Sequence, residues 1–148
     1  MHYETVELQE KNIVGLTGRT GNQDPDCPKI IGGLWQDFMA KGVCEQVKNK
    51  ANPYCVGLYS AYDFHQMTYD VTVGCEVTEN SNPELSAKTI PAGRYAMFHV
   101  RGDMVKDVSA AWEKIWELPL ERSFSGDFEE YIRMENDVAD VNIYIALK

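Results

Sequence analysis

Apolar residues recur along the chain with two different periods, and the same succession of periods occurs twice. The first half opens on the apolar segment Ile13-Val14-Gly15-Leu16-Thr17-Gly18 and turns near Gly21. Asp24-Pro25-Asp26-Cys27-Pro28 is a helix-entry signal, with proline near the first turn, where a missing N–H does no harm. Ile31, Leu34, Trp35, Phe38 and Met39 follow at helical spacing and predict an amphipathic helix that Gly42 ends. Val56 to Tyr62 reads as a short apolar strand. Thr68 to Val77 alternates strictly, with Tyr69, Val71, Val73, Cys75 and Val77 on one face and Asp70, Thr72 and Glu76 on the other. Turn-forming residues from Glu79 to Glu84 mark an internal boundary.

The second half repeats the order. Ala87 to Ile90 leads through Pro91-Ala92-Gly93 into a strand from Arg94 to Gly102. Asp103 suits the N-cap of a helix starting near Met104, with Val105, Val108, Trp112, Ile115 and Trp116 as its buried stripe and Pro119 as its stop. Phe128 to Met134 and Asn142 to Leu147 supply two more strands, joined by the polar Glu135-Asn136-Asp137 turn. Strand, helix, strand, strand therefore occurs twice, in pseudo-repeats of about residues 1–80 and 86–148 within one domain spanning 1–148. Gly33-Leu34-Trp35 and Ala110-Ala111-Trp112 take matching places in the two helices, their tryptophans 77 positions apart. That succession predicts an α+β fold of duplicated strand-helix-strand-strand units, with two helices packed on an antiparallel sheet.

Composition narrows the function. The chain is 44% hydrophobic and 25% charged, which excludes a disordered acidic tail. No apolar run approaches the ~18 residues of a membrane-spanning helix, so no membrane partner is expected. Acidic residues outnumber basic ones 23 to 14, a net charge of −9 that argues against direct nucleic-acid binding and favours cationic or neutral ligands. Between Phe124 and Val141 six carboxylates face one base, Arg133. The four cysteines form no C-x-x-C pair and His2, His65 and His99 are scattered, so neither a metal nor a cofactor is expected. The N-terminus shows no basic and apolar leader, which points to a cytoplasmic protein with reduced thiols.

The chemistry concentrates in Ser125-Gly126-Asp127-Phe128-Glu129-Glu130-Tyr131. On a strand, Phe128, Ile132 and Met134 share one face, while Glu129, Tyr131 and Arg133 point the other way. If the apolar faces meet the helices, Glu129, Tyr131 and Tyr144 line the far side of the sheet together; the alternative is a solvated sheet edge. A carboxylate among tyrosines is a cation receptor, since each aromatic face adds roughly 0.5–2 kcal/mol for a desolvated cation.

Phe128-Glu129-Glu130-Tyr131 resembles the F-E-x-Y signature of the GyrI-like effector-binding family. The Pro91-Ala92-Gly93-Arg94-Tyr95 turn before a strand, and the Trp112-x-x-Ile115 helix ending before Leu118-Pro119, resemble it too. The family includes ligand-sensing domains of AraC- and MerR-type multidrug regulators, drug-binding proteins and a gyrase inhibitor. The resemblance implies paired units around a central ligand pocket, with Glu129 as the buried glutamate that captures cationic, lipophilic aromatic compounds. It places Tyr59, Trp112 and Tyr144 on elements that carry pocket aromatics, with Trp35 or Phe38 from the first helix and Tyr131 beside the glutamate. Without a helix-turn-helix segment, a transcriptional role would need a separate DNA-binding partner; a homodimer is the other association expected.

Signatures of common enzymes are missing. Gly15, Gly18 and Gly21 lack dinucleotide or P-loop spacing, and there is no G-x-S-x-G elbow. No catalytic residue is therefore assigned, and a non-enzymatic sensor or sequestering module is expected. One enzymatic alternative shares the pocket: some relatives hydrolyse cyclopropane-bearing genotoxins, which would make Glu129 a general base and Tyr131 or Tyr59 an acid. A gyrase-inhibitory interaction protein is the third reading.

Overall fold

Both strand alternation and helical periodicity are realised in the computed structural model, which describes residues 1–148. Its strands are β1 (Glu4–Leu8), β2 (Lys11–Thr20), β3 (Cys55–Asp63), β4 (Thr68–Val77), β5 (Ser86–Ile90), β6 (Gly93–Asp103), β7 (Asp127–Glu135) and β8 (Val138–Ala146). The helices are α1 (Cys27–Ala40), a single turn α2 (Val43–Gln46) and α3 (Lys106–Glu117). All strands join one open antiparallel sheet in the order β1-β6-β8-β7-β3-β4-β2-β5. The fold is α+β, as the succession of periods predicts.

The order has an internal two-fold sense. β2, β4 and β3 form one block, β6, β8 and β7 the equivalent block, and β3 pairs with β7 along a central seam. Each half carries one strand more than predicted from periodicity at its start, and that strand crosses over: β1 pairs with β6 and β5 with β2. β1 escapes the pattern because only Val6 and Leu8 of its five residues are apolar.

The helices leave the seam uncovered. α1 packs on β2 and β4, and α3 packs on β6. Below them lies a core containing Val14, Phe38, Val73, Phe98, Ile115 and Ile143. A second cluster with Ile13, Leu58, Tyr95, Phe128 and Tyr144 fills the opposite face, so the adjacent residues Ile13 and Val14 serve opposite sides of the sheet. No helix is long and apolar enough to cross a membrane.

The N-cap position of α3 is Val105 and not the expected Asp103, but two aspartates order the turn that leads into the helix. Asp103 Oδ1 accepts the Val105 and Lys106 backbone N–H groups at 3.0 and 2.7 Å, and Asp107 Oδ2 reaches back to the Asp103 N–H at 2.6 Å. The predicted stripe of α3 is corrected by the structure. Val108, Ala111 and Ile115 face the sheet, while Val105 and Trp116 are 72% and 51% exposed. The small Ala111 takes a sheet-facing position, and Val105, Ser109, Trp112 and Trp116 line the cavity beside the seam. At the other helix, Gly42 adopts a left-handed φ of 59° just after α1 and allows the chain to turn into α2.

β2 and β4 approach most tightly at the directly paired Gly15 and Gly74. A Cβ on Gly74 would run into the Val14 carbonyl, and one on Gly15 into that of Val73. Gly74→Ala is therefore expected to destabilise the fold by about 1–3 kcal/mol, the range of overpacked cores. Urea unfolding checks this, and an unchanged midpoint would contradict it.

Candidate functional site

Register along the seam sets the site. Gly57 on β3 is paired with Glu129 on β7, Cys55 with Tyr131, and Tyr59 with Asp127. These residues share the helix-facing side. Gly57 provides the space: a Cβ there would lie 3.1 Å from Glu129 Oε1 and 3.3 Å from Trp35 Cζ2. The Glu129 side chain thus sits above the seam, 3% exposed.

Three donors from three elements hold it. Trp112 Nε1 on α3 donates to Glu129 Oε2 at 2.6 Å, Tyr131 on β7 donates to Oε1 at 2.8 Å, and Tyr59 on β3 donates to Oε2 at 3.4 Å. An indole N–H can only donate, so Oε2 is held as an acceptor. No lysine, arginine or histidine forms an ion pair with this carboxylate. Burial raises the Glu129 pKa, while the hydrogen bonds from Tyr131, Trp112 and Tyr59 lower it; burial prevails, and the value lies above that of an ordinary glutamate. Tyr59 and Tyr131 are both held far into the protonated state, first by burial and then by the neighbouring Glu129 charge.

A cavity of about 930 Å³ opens over this carboxylate, bounded by α1, α3, the β3–β4 hairpin and the loop before β7. Its aromatic rings brace one another edge-on. Trp35 and Tyr131 have centroids 4.9 Å apart, Tyr59 and Trp112 5.4 Å, and Tyr59 and Tyr69 5.5 Å. Farther along, Phe124 packs against Tyr62 at 5.6 Å and Phe64 at 4.9 Å.

A second buried carboxylate lies behind the wall. Asp127 is fully buried, accepting the Ala146 N–H at 2.8 Å, the Tyr62 hydroxyl at 2.6 Å and Arg122 Nη2 at 2.6 Å. The Arg122 guanidinium carbon stands 4.2 Å over the Phe124 ring. Burial, followed by the Asp127 charge, drives the Tyr62 phenol pKa far upward.

Five of the residues singled out from the sequence surround the cavity: Glu129, Tyr131, Tyr59, Trp112 and Trp35. Two do not. Phe38 is fully buried in the core, edge-on to Trp35 at 6.1 Å, and does not line the cavity. Tyr144 stacks on Phe128 at 4.6 Å on the opposite face of the sheet. The cause is the orientation of β7, which turns Glu129 and Tyr131, and not its Phe128 face, toward the helices. Since Tyr144 pairs directly with Phe128, it goes with the other side.

Tyr62, Tyr69, Phe124, Trp116 and Arg122 also line the cavity and were not among the sequence candidates. Tyr62 is hidden by a bulge. Strict alternation would place it with Leu58, but the register slips between Ser60 and Asp63, with Ala61 at φ 52°, and Tyr62 turns into the cavity. Tyr69 belongs to an alternating apolar face that reads as core.

The model of the integron-associated effector binding protein Cass2 matches residues 4–147. The chain belongs to this family. The fold also matches SAV2435 solved with tetraphenylphosphonium, with a TM-score of 0.84 at 16% identity over 100% of this chain and 94% of that one. The Vibrio cholerae integron cassette protein VCH_CASS2 gives a TM-score of 0.76 at 26% identity, covering 99% of this chain and 95% of that one. A Staphylococcus aureus MU50 protein described as a transcription regulation protein gives 0.75 at 18% identity, over 99% of both chains. No curated protein matches. The Cass2-family chain thus has the GyrI-like effector-binding fold that its motifs resemble.

The raised pKa of Glu129 carries a sign for stability. Its folded value lies above its unfolded one, so the stabilising contribution is complete below the unfolded pKa and lost as pH rises through the folded pKa. Without ligand, Glu129→Gln is expected to gain stability relative to wild type as the pH rises to neutral, and to lose that advantage in acid. Thermal melting across pH checks this; a stability difference independent of pH would contradict it.

Proposed function

We propose that this protein captures cationic, lipophilic aromatic small molecules, with Glu129 as the counter-charge and the surrounding rings as the stacking surface. The observation that carries this reading is a 3%-exposed carboxylate with three neutral donors and no cationic partner, at the base of an aromatic cavity. A buried carboxylate left without a counter-ion is unfavourable, and a ligand cation is what it lacks. In that dry setting one ion pair outweighs the ~0–1 kcal/mol of an exposed pair. Aromatic faces add to it. Tetraphenylphosphonium on SAV2435, which shares the fold, is a ligand of the same chemical class.

A sensing or sequestering role fits the site better than hydrolysis. A general base must take a proton from water, and the protein's hydrogen bonds fill both acceptor sites of Glu129 Oε2 and leave one on Oε1, beside the Tyr131 hydroxyl. Tyr59 and Tyr131 are committed to that same carboxylate and held protonated, which suits fixed donors more than proton carriers.

Tryptophan-fluorescence titration tests the reading with tetraphenylphosphonium and the uncharged triphenylphosphine oxide. Glu129→Gln is expected to weaken the cation at least tenfold, about 1.4 kcal/mol, while leaving the neutral compound within about twofold. Equal cation affinity in mutant and wild type would remove Glu129 from the mechanism.

A further inference from the structure

Two carboxylates leave the cavity-facing side of β7. Asp127 and Glu129 are two residues apart, so their positions lie about 7 Å apart along the strand. Only Asp127 has a cation. Its partner Arg122 comes from the loop before β7, with Nη2 at 2.6 Å and a side chain 16% exposed that lines the same cavity. The two positions share one aromatic wall: Tyr69 is 5.5 Å from Tyr59, which donates to Glu129, and 5.8 Å from Tyr62, which donates to Asp127.

The surroundings of Arg122 reproduce those offered at Glu129. Each carboxylate is buried, each accepts a tyrosine hydroxyl, and each has rings beside the place a cation would take. At Asp127 that place is filled, with the guanidinium 4.2 Å over Phe124. The filling is not a full fork-to-carboxylate grip. One nitrogen, Nη2, bonds Asp127, and the buried Nε has no partner. Phe124 adopts a left-handed φ of 56°, an uncommon conformation for an aromatic residue, with its ring under the guanidinium. An arginine that served only to tie the loop to β7 would need neither the ring beneath it nor a place in the cavity wall.

We propose that Arg122 is a tethered cation that matches the buried Asp127 behind the cavity wall, presents its own charge to the cavity, and so restricts the pocket to ligands bearing one positive charge. The assignment rests on cation capture at Glu129. Of the two buried carboxylates one is matched by a guanidinium and Glu129 is not; Asp24, Asp63 and Glu113 also line the cavity but are half-buried or exposed, where water screens their charge. A ligand with a second charge directed along β7 meets Arg122 and is repelled.

Calorimetric titration of two rigid biaryls of similar size tests this: N-methyl-4-phenylpyridinium, with one charge, and methyl viologen, with two. Wild type is expected to prefer the monocation. Arg122→Gln, which keeps a donor for Asp127 but removes the charge, should shift the ratio of the two affinities at least tenfold toward methyl viologen. Asp127→Asn added to it should reverse that shift, and Arg122→Lys should keep the wild-type ratio. A structural role alone would change both probes together, so an unchanged ratio in folded Arg122→Gln overturns the assignment. If Arg122→Gln does not fold, Asp127→Asn alone leaves Arg122 uncompensated and should weaken the monocation at least tenfold; unchanged affinity overturns the assignment. Monocation binding that depends on Glu129, with an unchanged ratio, sinks only the role of Arg122. No binding of either probe to wild type sinks both readings.

Discussion

A carboxylate withdrawn from water without a counter-ion is the constraint on which the rest of this structure depends. Glu129 is 3% exposed and held by neutral donors alone. The desolvation of such a group amounts to several kcal/mol, and hydrogen bonds return only part of it. Holding the group in place takes one donor each from α3, β3 and β7, and a glycine opposite to make room. Strand register, helix roll and the choice of Gly57 therefore all bear on one side chain.

The topology supplies the place for it. Each helix packs on strands of its own block away from the seam, α1 on β2 and β4 and α3 on β6, so the β3–β7 seam is left between them as a natural gap. Trp35 and Trp112 occupy matching places in the two helices and flank the seam from opposite sides, one edge-on to Tyr131 and the other to Tyr59. The hairpin and the loop before β7 close the remaining sides with rings. Aromatic side chains can form such walls because they bring large apolar area with few rotatable bonds, and their hydroxyl or N–H groups reach the carboxylate.

Much of this can be read from residues in order. The alternation of Tyr69, Val71, Val73, Cys75 and Val77, the proline-led start of α1 and the matching tryptophans give the α+β class and the repeated units. The F-E-x-Y run singles out Glu129 and Tyr131, which are cavity neighbours because residues two apart on a strand share a face. Sequence fails where periodicity is broken or ambiguous. The bulge before Asp63 turns Tyr62 inward against the pattern, and a second shift between Tyr131 and Arg133 returns Met134 to the helix side. Which face of β7 meets the helices is not a property of β7 alone; both faces are half apolar, and the wrong choice carries Tyr144 to the wrong side. Arg122 and Phe124 sit in a loop, where no period operates and only the folded chain shows that they meet Asp127.

Counting protons on binding tests the central claim most directly, because a cation beside Glu129 must lower a pKa that burial has raised. Calorimetry with tetraphenylphosphonium in buffers of different ionisation enthalpy gives that count. The account predicts that binding by wild type releases protons, that the release fades as pH rises and the carboxyl is already ionised, and that Glu129→Gln releases none. Proton release that is the same in both proteins, or absent from wild type at every pH down to the ordinary glutamate range, would contradict it.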